Sequence, residues 1–275
     1  MDWHALGWLA LALYAGAEVL SILSLLKPGG ASAGSALRGS GVAILLGAGL
    51  IAQFADLHVT ARVLNSVPYR TFGGAMSLFA WMLGISYAAL LFRHRDRAIG
   101  PFLIPFVIVF SLAGILAPVS RTVSTPDTRG SLFALHVTLA MLGYAAFTFS
   151  FVLSILYLVQ NGQIRRGRSS RLFSRLPALE AINRMNRTSV SIGLVALAAS
   201  VAFGLVWAHR FWTTMRDPKI VWALATLALY GFLLWMERRG WKGPRVAKLS
   251  IVGFGLVLFS ITIVNMFLST SHTFR

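Results

Sequence analysis

Cysteine is absent from this 275-residue chain. Without thiols there is no disulfide, no thiolate metal site, no Cys-x-x-Cys redox chemistry and no thioether attachment of a haem. Any metal or haem must be held by His, Met, Tyr or carboxylates. Charge is also scarce. Asp, Glu, Lys and Arg make up 12% of the residues, where a soluble domain carries about 25%. Acids are the rarer sign, with 8 Asp and Glu against 25 Lys and Arg. No nucleophile–base pair, phosphate loop or metal-hydrolase spacing is present, which argues against an enzyme. Period-two alternation and long polar loops are missing too, which argues against a sheet protein.

What remains is apolar. Hydrophobic residues make up 57% of the chain, and its mean hydropathy is +0.73. Runs of about 20 apolar residues cross a bilayer as helices. Eight such runs are expected, at 5–26, 40–57, 73–92, 98–118, 132–159, 188–208, 219–236 and 247–268. The fold class is therefore an all-α integral membrane protein, one polytopic domain over 1–275, with no convincing internal repeat. The start Met1-Asp2-Trp3-His4 carries no basic leader, so the first run is expected to stay as a span. Pro101, Pro105 and Pro118 mark the fourth span as a place for a kink.

The net charge of +17 marks a membrane face rather than a nucleic-acid partner. The connections 27–39, 93–97, 160–187 and 237–248 hold 17 Lys and Arg, and the alternate connections with the C-terminal tail hold 8. The basic set is expected in the cytoplasm, which puts both termini on the extracytoplasmic face of a bacterial inner membrane. Within 160–187, Leu172, Leu176, Leu179, Ile182 and Met185 recur at helical spacing among arginines. This predicts a basic amphipathic helix on the anionic leaflet, with a cytosolic partner as its second use.

Few polar residues carry chemistry. Of six histidines, His4, His58, His136, His209 and His272 fall at the expected outer face. His136 lies about one turn into the fifth span, and His272 just beyond the eighth. Two neutral imidazoles at matched depth can supply both axial ligands of a haem iron. The stretch WAHRFWTTMRDPKIVW at 207–222 is expected as a polar loop over the same surface. Trp207, Phe211, Trp212 and Trp222 can stack on a porphyrin, and Arg210, Arg216 and Lys219 can pair with its carboxylates. Asp217-Pro218 also reads as a helix N-cap followed by proline at the first helical position. His58, beside Asp56, is a further candidate on the haem side, and Glu18, mid-span, with Asp56 and His58 suggests an alternative, a transporter for a cation or small solute. Asn265 in the last span suits a hydrogen bond between helices.

The stretches LHVTLAMLGYAAF, LPALEAINRMNRTSVSIGLVALAASVAFGLVWA, FWTTMRDPKIVWALATLALYGFLLW and GWKGPRVAKLSIVGFGLVLFSITIVNMFLSTSHTF resemble the cytochrome c assembly family of membrane haem handlers. They are most similar to its compact eight-helix, HemX-like or YpjD-like branch. The likeness covers the core at 131–275 and is weaker over 1–130. It implies non-covalent haem b at the extracytoplasmic face, with His136 and His272 as axial ligands beside the tryptophan-rich segment. It also implies other cytochrome c assembly proteins as partners, and allows a regulator that recruits a cytosolic tetrapyrrole-synthesis enzyme through 160–187. The chain departs from the family pattern at Thr214, Met215 and Arg216, where aromatics are usual, and at Ile220, where an acid is usual. It also has no histidine at mid-membrane, so haem export is not expected of it.

Overall fold

The computed structural model describes residues 4–26, 33–64, 67–94, 98–117, 130–167, 176–211, 218–241 and 243–259, with backbone alone at 33–38, 70, 93–94, 210–211 and 218–219. All regular structure there is helical. The helices are α1 (Ala5–Leu26), α2 (Ala33–Val63), α3 (Phe72–His94), α4 (Gly100–Leu116), α5 (Ser131–Arg165), α6 (Leu179–Phe211), α7 (Pro218–Arg238) and α8 (Pro244–Phe259), with a short 3-10 turn at Pro68–Arg70. Six of them (α1, α2, α3, α5, α6 and α7) are long and apolar enough to cross a membrane. Helix α4 has 17 residues and the described part of α8 has 16. Large apolar side chains such as Ile44, Ile51, Phe92 and Val195 stand exposed, as suits a multi-pass membrane protein whose outer surface meets lipid.

The first compact unit holds α1 to α4. Its helices run up-down-up-down. Asp56 on α2 meets Gly7 on α1, Trp81 on α3 donates to the Leu50 carbonyl on α2, and Phe79 on α3 packs edge-on against Phe110 on α4. Small residues let backbones approach, as in membrane bundles generally. A Cβ on Gly73 of α3 would stand 2.7 Å from the Gly114 carbonyl oxygen on α4. Gln53 is the polar centre of this unit. Its Oε1 accepts from the Tyr14 hydroxyl at 2.7 Å. Its Nε2 donates to the Ser77 carbonyl at 3.0 Å, the Ser77 hydroxyl at 3.2 Å and the Ser111 hydroxyl at 2.9 Å. One amide thus ties together all four helices. Pro101 occupies the first turn of α4, where a missing N–H costs nothing, and Pro105 lies inside the helix, which continues to Leu116. Pro118 lies outside the described residues.

The second unit holds α5 to α8 and is also an up-down-up-down bundle. Its core joins Phe147, Val190, Leu197, Tyr230, Leu233, Val246, Phe254 and Val257. The Phe147 and Tyr230 rings stack at 3.8 Å. Gly193 makes room for them, since a Cβ there would meet the Phe147 ring at 2.6 Å. Asn186 on α6 accepts from Ser150 on α5 at 2.7 Å and reaches Ser250 on α8 at 3.5 Å. The Tyr230 hydroxyl on α7 donates to the Ser250 carbonyl at 3.3 Å.

Two expectations change here. Among the described residues, the surface helix expected over 160–187 does not form one element. Helix α5 runs on to Arg165 and α6 begins at Leu179, and Ile182 and Met185 face the bundle core. Leu172 and its neighbours at 168–175 lie outside the described residues. Nor is 207–222 one loop. Helix α6 reaches Phe211 and α7 starts at Pro218, so only 212–217 joins them. Asn265 lies outside the described residues.

Candidate functional site

Where α5 begins and α6 ends, the second unit holds a built histidine. His136 lies in the second turn of α5 and is half-buried. Its Nδ1 is 2.8 Å from the Ser200 carbonyl oxygen on α6. A carbonyl can only accept, so Nδ1 carries the proton and the ring's lone pair is on Nε2. Ser200 is locked in the same exchange. Its hydroxyl donates to the His136 carbonyl at 2.8 Å and lies 3.1 Å from Nδ1. The ring therefore has a fixed tautomer and a fixed orientation, set by two adjacent backbones.

The space for it comes from Gly204, one turn beyond Ser200. A Cβ at 204 would come within 2.5 Å of Nδ1 and 2.7 Å of Cε1. Aromatic rings adjoin the imidazole. Phe133, one turn earlier on α5, has its ring centroid 6.1 Å from that of His136. It also packs at 4.7 Å on Trp207, which is 96% removed from contact with solvent (4% exposed). Trp207 is thus a buried member of the α5–α6 seam, one turn before the end of α6, and not part of an open platform.

The other expected residues fall as follows. Trp222, in the second turn of α7, packs on Phe259 of α8 at 4.6 Å. Arg210 and Lys219 lie in the terminal turns of α6 and α7, their side chains outside the described residues. Trp212, Arg216, Asp217 and His272 also lie outside them. Pro218 opens α7 as expected of a first-turn proline. His209 is exposed on α6.

The pairing of Asp56 with His58 does not form. Residues two apart on a helix face different ways, and His58 is exposed while Asp56 is buried. Asp56 turns instead to the start of α1, where its Oδ1 accepts from the Gly7 N–H at 3.0 Å and lies 3.6 Å from His4 Nδ1. It caps a neighbouring helix. Glu18 lies half-buried on α1, its Oε2 screened from solvent and without a hydrogen-bond partner among the described residues. Among the described residues no three His, Cys, Asp or Glu side chains gather as a metal site.

Sequence reasoning did not find Ser200, Gly204 or Phe133. Ser200 has little sequence signal, because the bond to His136 Nδ1 is made through its main-chain carbonyl and its hydroxyl is one of many in the apolar runs. Gly204 and Trp207 lie close together in AFGLVW, and a small residue beside a large one is the one available hint.

The family model for "Cytochrome C assembly protein" matches residues 71–272, reaching well upstream of the stretch that carries the motifs. The chain is 29% identical over 244 residues to the cytochrome c biogenesis protein CcsA of Prochlorococcus marinus subsp. pastoris, covering 78% of each. It is 28% identical over 216 residues to Protein HemX of Brevibacillus brevis, covering 76% of each. It is 24% identical over 248 residues to CcsA of Heterosigma akashiwo, covering 76% of this chain and 77% of that one. This multi-pass helical protein therefore belongs to the cytochrome C assembly protein family.

Proposed function

We propose that the chain handles haem b non-covalently where α5 begins and α6 ends, on the extracytoplasmic side, with His136 and His272 as the two axial ligands. The observation that carries this reading is the bond from His136 Nδ1 to the Ser200 carbonyl. Metal-ligating histidines almost always donate their other ring N–H to a carbonyl or carboxylate, which fixes the tautomer and raises the basicity of the ligating nitrogen. The donor set also fits, because with no cysteine in the chain imidazole is the natural partner for haem iron. Gly204 keeps the ring at the seam, and Phe133 and Trp207 supply an apolar, aromatic flank. When bound, the haem supplies an iron that accepts two imidazole nitrogens and a flat apolar surface with two carboxylates. Arg210, Arg216 and Lys219 are the cations available for those carboxylates, and Trp212 and Trp222 the further aromatics.

Haem added to the purified protein should give the absorption of a bis-histidine complex, with a sharp Soret band. His136→Ala and His272→Ala should each weaken that band, and the pair should abolish it. A folded preparation that stays colourless with excess haem overturns the reading.

A further inference from the structure

At the opposite end of the second unit, the turn from α7 to α8 borders an open surface cavity of about 450 Å³ with the end of α5. Its lining is Arg165, Gly240, Trp241, Pro244 and Arg245. The backbone fixes its shape. Gly240 and Gly243 have φ of 97° and 64°, which only glycine adopts without strain. The Trp241 N–H reaches back to the Met236 carbonyl at 3.0 Å and closes α7.

The charge around this cavity is unbalanced. Arg165 ends α5, where a cation complements the helix dipole. Arg245 has no such explanation. It stands in the first turn of α8, the positive end of a helix, and that turn holds no acid. As first-turn residues of α8, Arg245 and Val246 have N–H groups without helical acceptors. Among the described residues neither guanidinium has a carboxylate partner. Glu237, the nearest acid along the chain, interacts with Arg187 and Glu180 of α6. Two arginines and the start of a helix thus line one cavity, and no carboxylate among the described residues pairs with either guanidinium.

The surroundings indicate how the anion arrives. The Arg245 guanidinium lies over the Trp241 ring at 5.7 Å and that of Arg239 over Trp235 at 5.1 Å. Phe232 packs edge-on against Trp241, and Phe232 and Trp235 are exposed along the apolar flank of α7. Tryptophans stacked with arginines beside an apolar helix flank mark the depth of lipid headgroups.

We propose that this cavity binds a phosphate ester, presented by the headgroup of an anionic phospholipid, with Arg165 and Arg245 as its clamps. The site is separate from the haem reading and stands or falls without it.

Native mass spectrometry of the full chain in detergent, with phosphatidylglycerol or phosphatidylcholine added, tests this. Phosphatidylglycerol should bind in preference to phosphatidylcholine. The double variant Arg165→Gln/Arg245→Gln should weaken its binding by on the order of tenfold. The pair Arg166→Gln/Arg184→Gln, which removes equal charge from equally exposed positions that do not line the cavity, should leave it intact. Displacement of the lipid by millimolar sodium phosphate would keep the anion site and assign it to phosphate from the aqueous phase. Equal lipid binding by the double variant and the unaltered chain overturns the proposal. So does an equal loss in the control pair, which would mean a diffuse effect of net charge.

Discussion

The two bundles share a topology and differ in how they use polar groups. Where its first helix starts and its second ends, the first unit holds Asp56 against the α1 amides, with His4 beside it. The corresponding end of the second unit holds His136 against the Ser200 carbonyl. The carboxylate accepts from a backbone, so its charge is used in closing a helix end. The imidazole donates to a backbone, so its lone pair is directed elsewhere. Deeper in, the first unit joins its helices through Gln53, which makes four hydrogen bonds. In its core the second unit has the Phe147–Tyr230 stack, and its own amide, Asn186, makes one short bond and one long one. Polar groups in the first unit serve assembly. In the second, aromatic packing carries more of the assembly, and the polar contact at the helix end is made by an imidazole.

The largest expected effect tests the two amides against each other. Hydrogen bonds between membrane helices average about 0.6 kcal/mol each. Replacing Gln53 by Leu removes four of them and should cost about 2 kcal/mol on that scale. The change Asn186→Leu removes two, the weaker at 3.5 Å, and should cost about 1 kcal/mol. Thermal unfolding of both variants in one detergent reads the difference. Equal losses would mean that the bundles are held in the same way and would end the comparison.

Next in size is Gly204→Ala. The added methyl needs space now filled by the His136 ring. Overpacking of this kind costs about 1.5 kcal/mol. The ring must also tilt away from the Ser200 carbonyl, so haem affinity should fall by about tenfold, since second-shell changes cost 10–100-fold. Haem titration followed at the Soret band checks this. Unchanged affinity would show that the orientation of His136 is irrelevant to haem.

The helices were largely legible because long apolar runs have few alternatives. The first expected span, 5–26, coincides with α1, and the Asp-Pro pair located the start of α7 at Pro218. The errors share one cause: sequence proximity was taken for spatial proximity. Arginines and leucines at 160–187 have the period of a surface helix. Of the described ones, Arg165 ends α5 and Leu179, Ile182, Arg184, Met185 and Arg187 belong to α6, because those helices run 35 and 33 residues, about 50 Å each at 1.5 Å per residue and well beyond the apolar core. Trp207 looked like a loop aromatic beside His209 and Arg210, yet the helix continues past it and turns it onto Phe133. Of the candidate site, His136 was legible as an imidazole in an apolar run. Its partner was not, since a main-chain carbonyl leaves no mark in sequence and the Ser200 hydroxyl is one of many in the apolar runs. Gln53 was as visible as Asn265, being a lone amide in an apolar run, and the same reasoning applies to it.

The smallest expected effect concerns Asp56, and it decides what kind of group the first unit carries at its end. If Asp56 only closes α1, the oxygen matters and the charge does not. Asp56→Ala then removes the acceptor from the Gly7 N–H and should cost about 1 kcal/mol, the usual loss for a helix cap. Asp56→Asn keeps a carbonyl oxygen at the same place. It loses only attraction to the helix dipole and to His4, a few tenths of a kcal/mol (about 0.3). Thermal unfolding of the two variants separates these values. An Asn variant as damaged as the Ala variant would mean that the carboxylate charge itself is required. The close approach of His4 at 3.6 Å would then be an ion pair in its own right. The first unit would carry a charged pair at its end, and the transport reading of that end would have to be reopened.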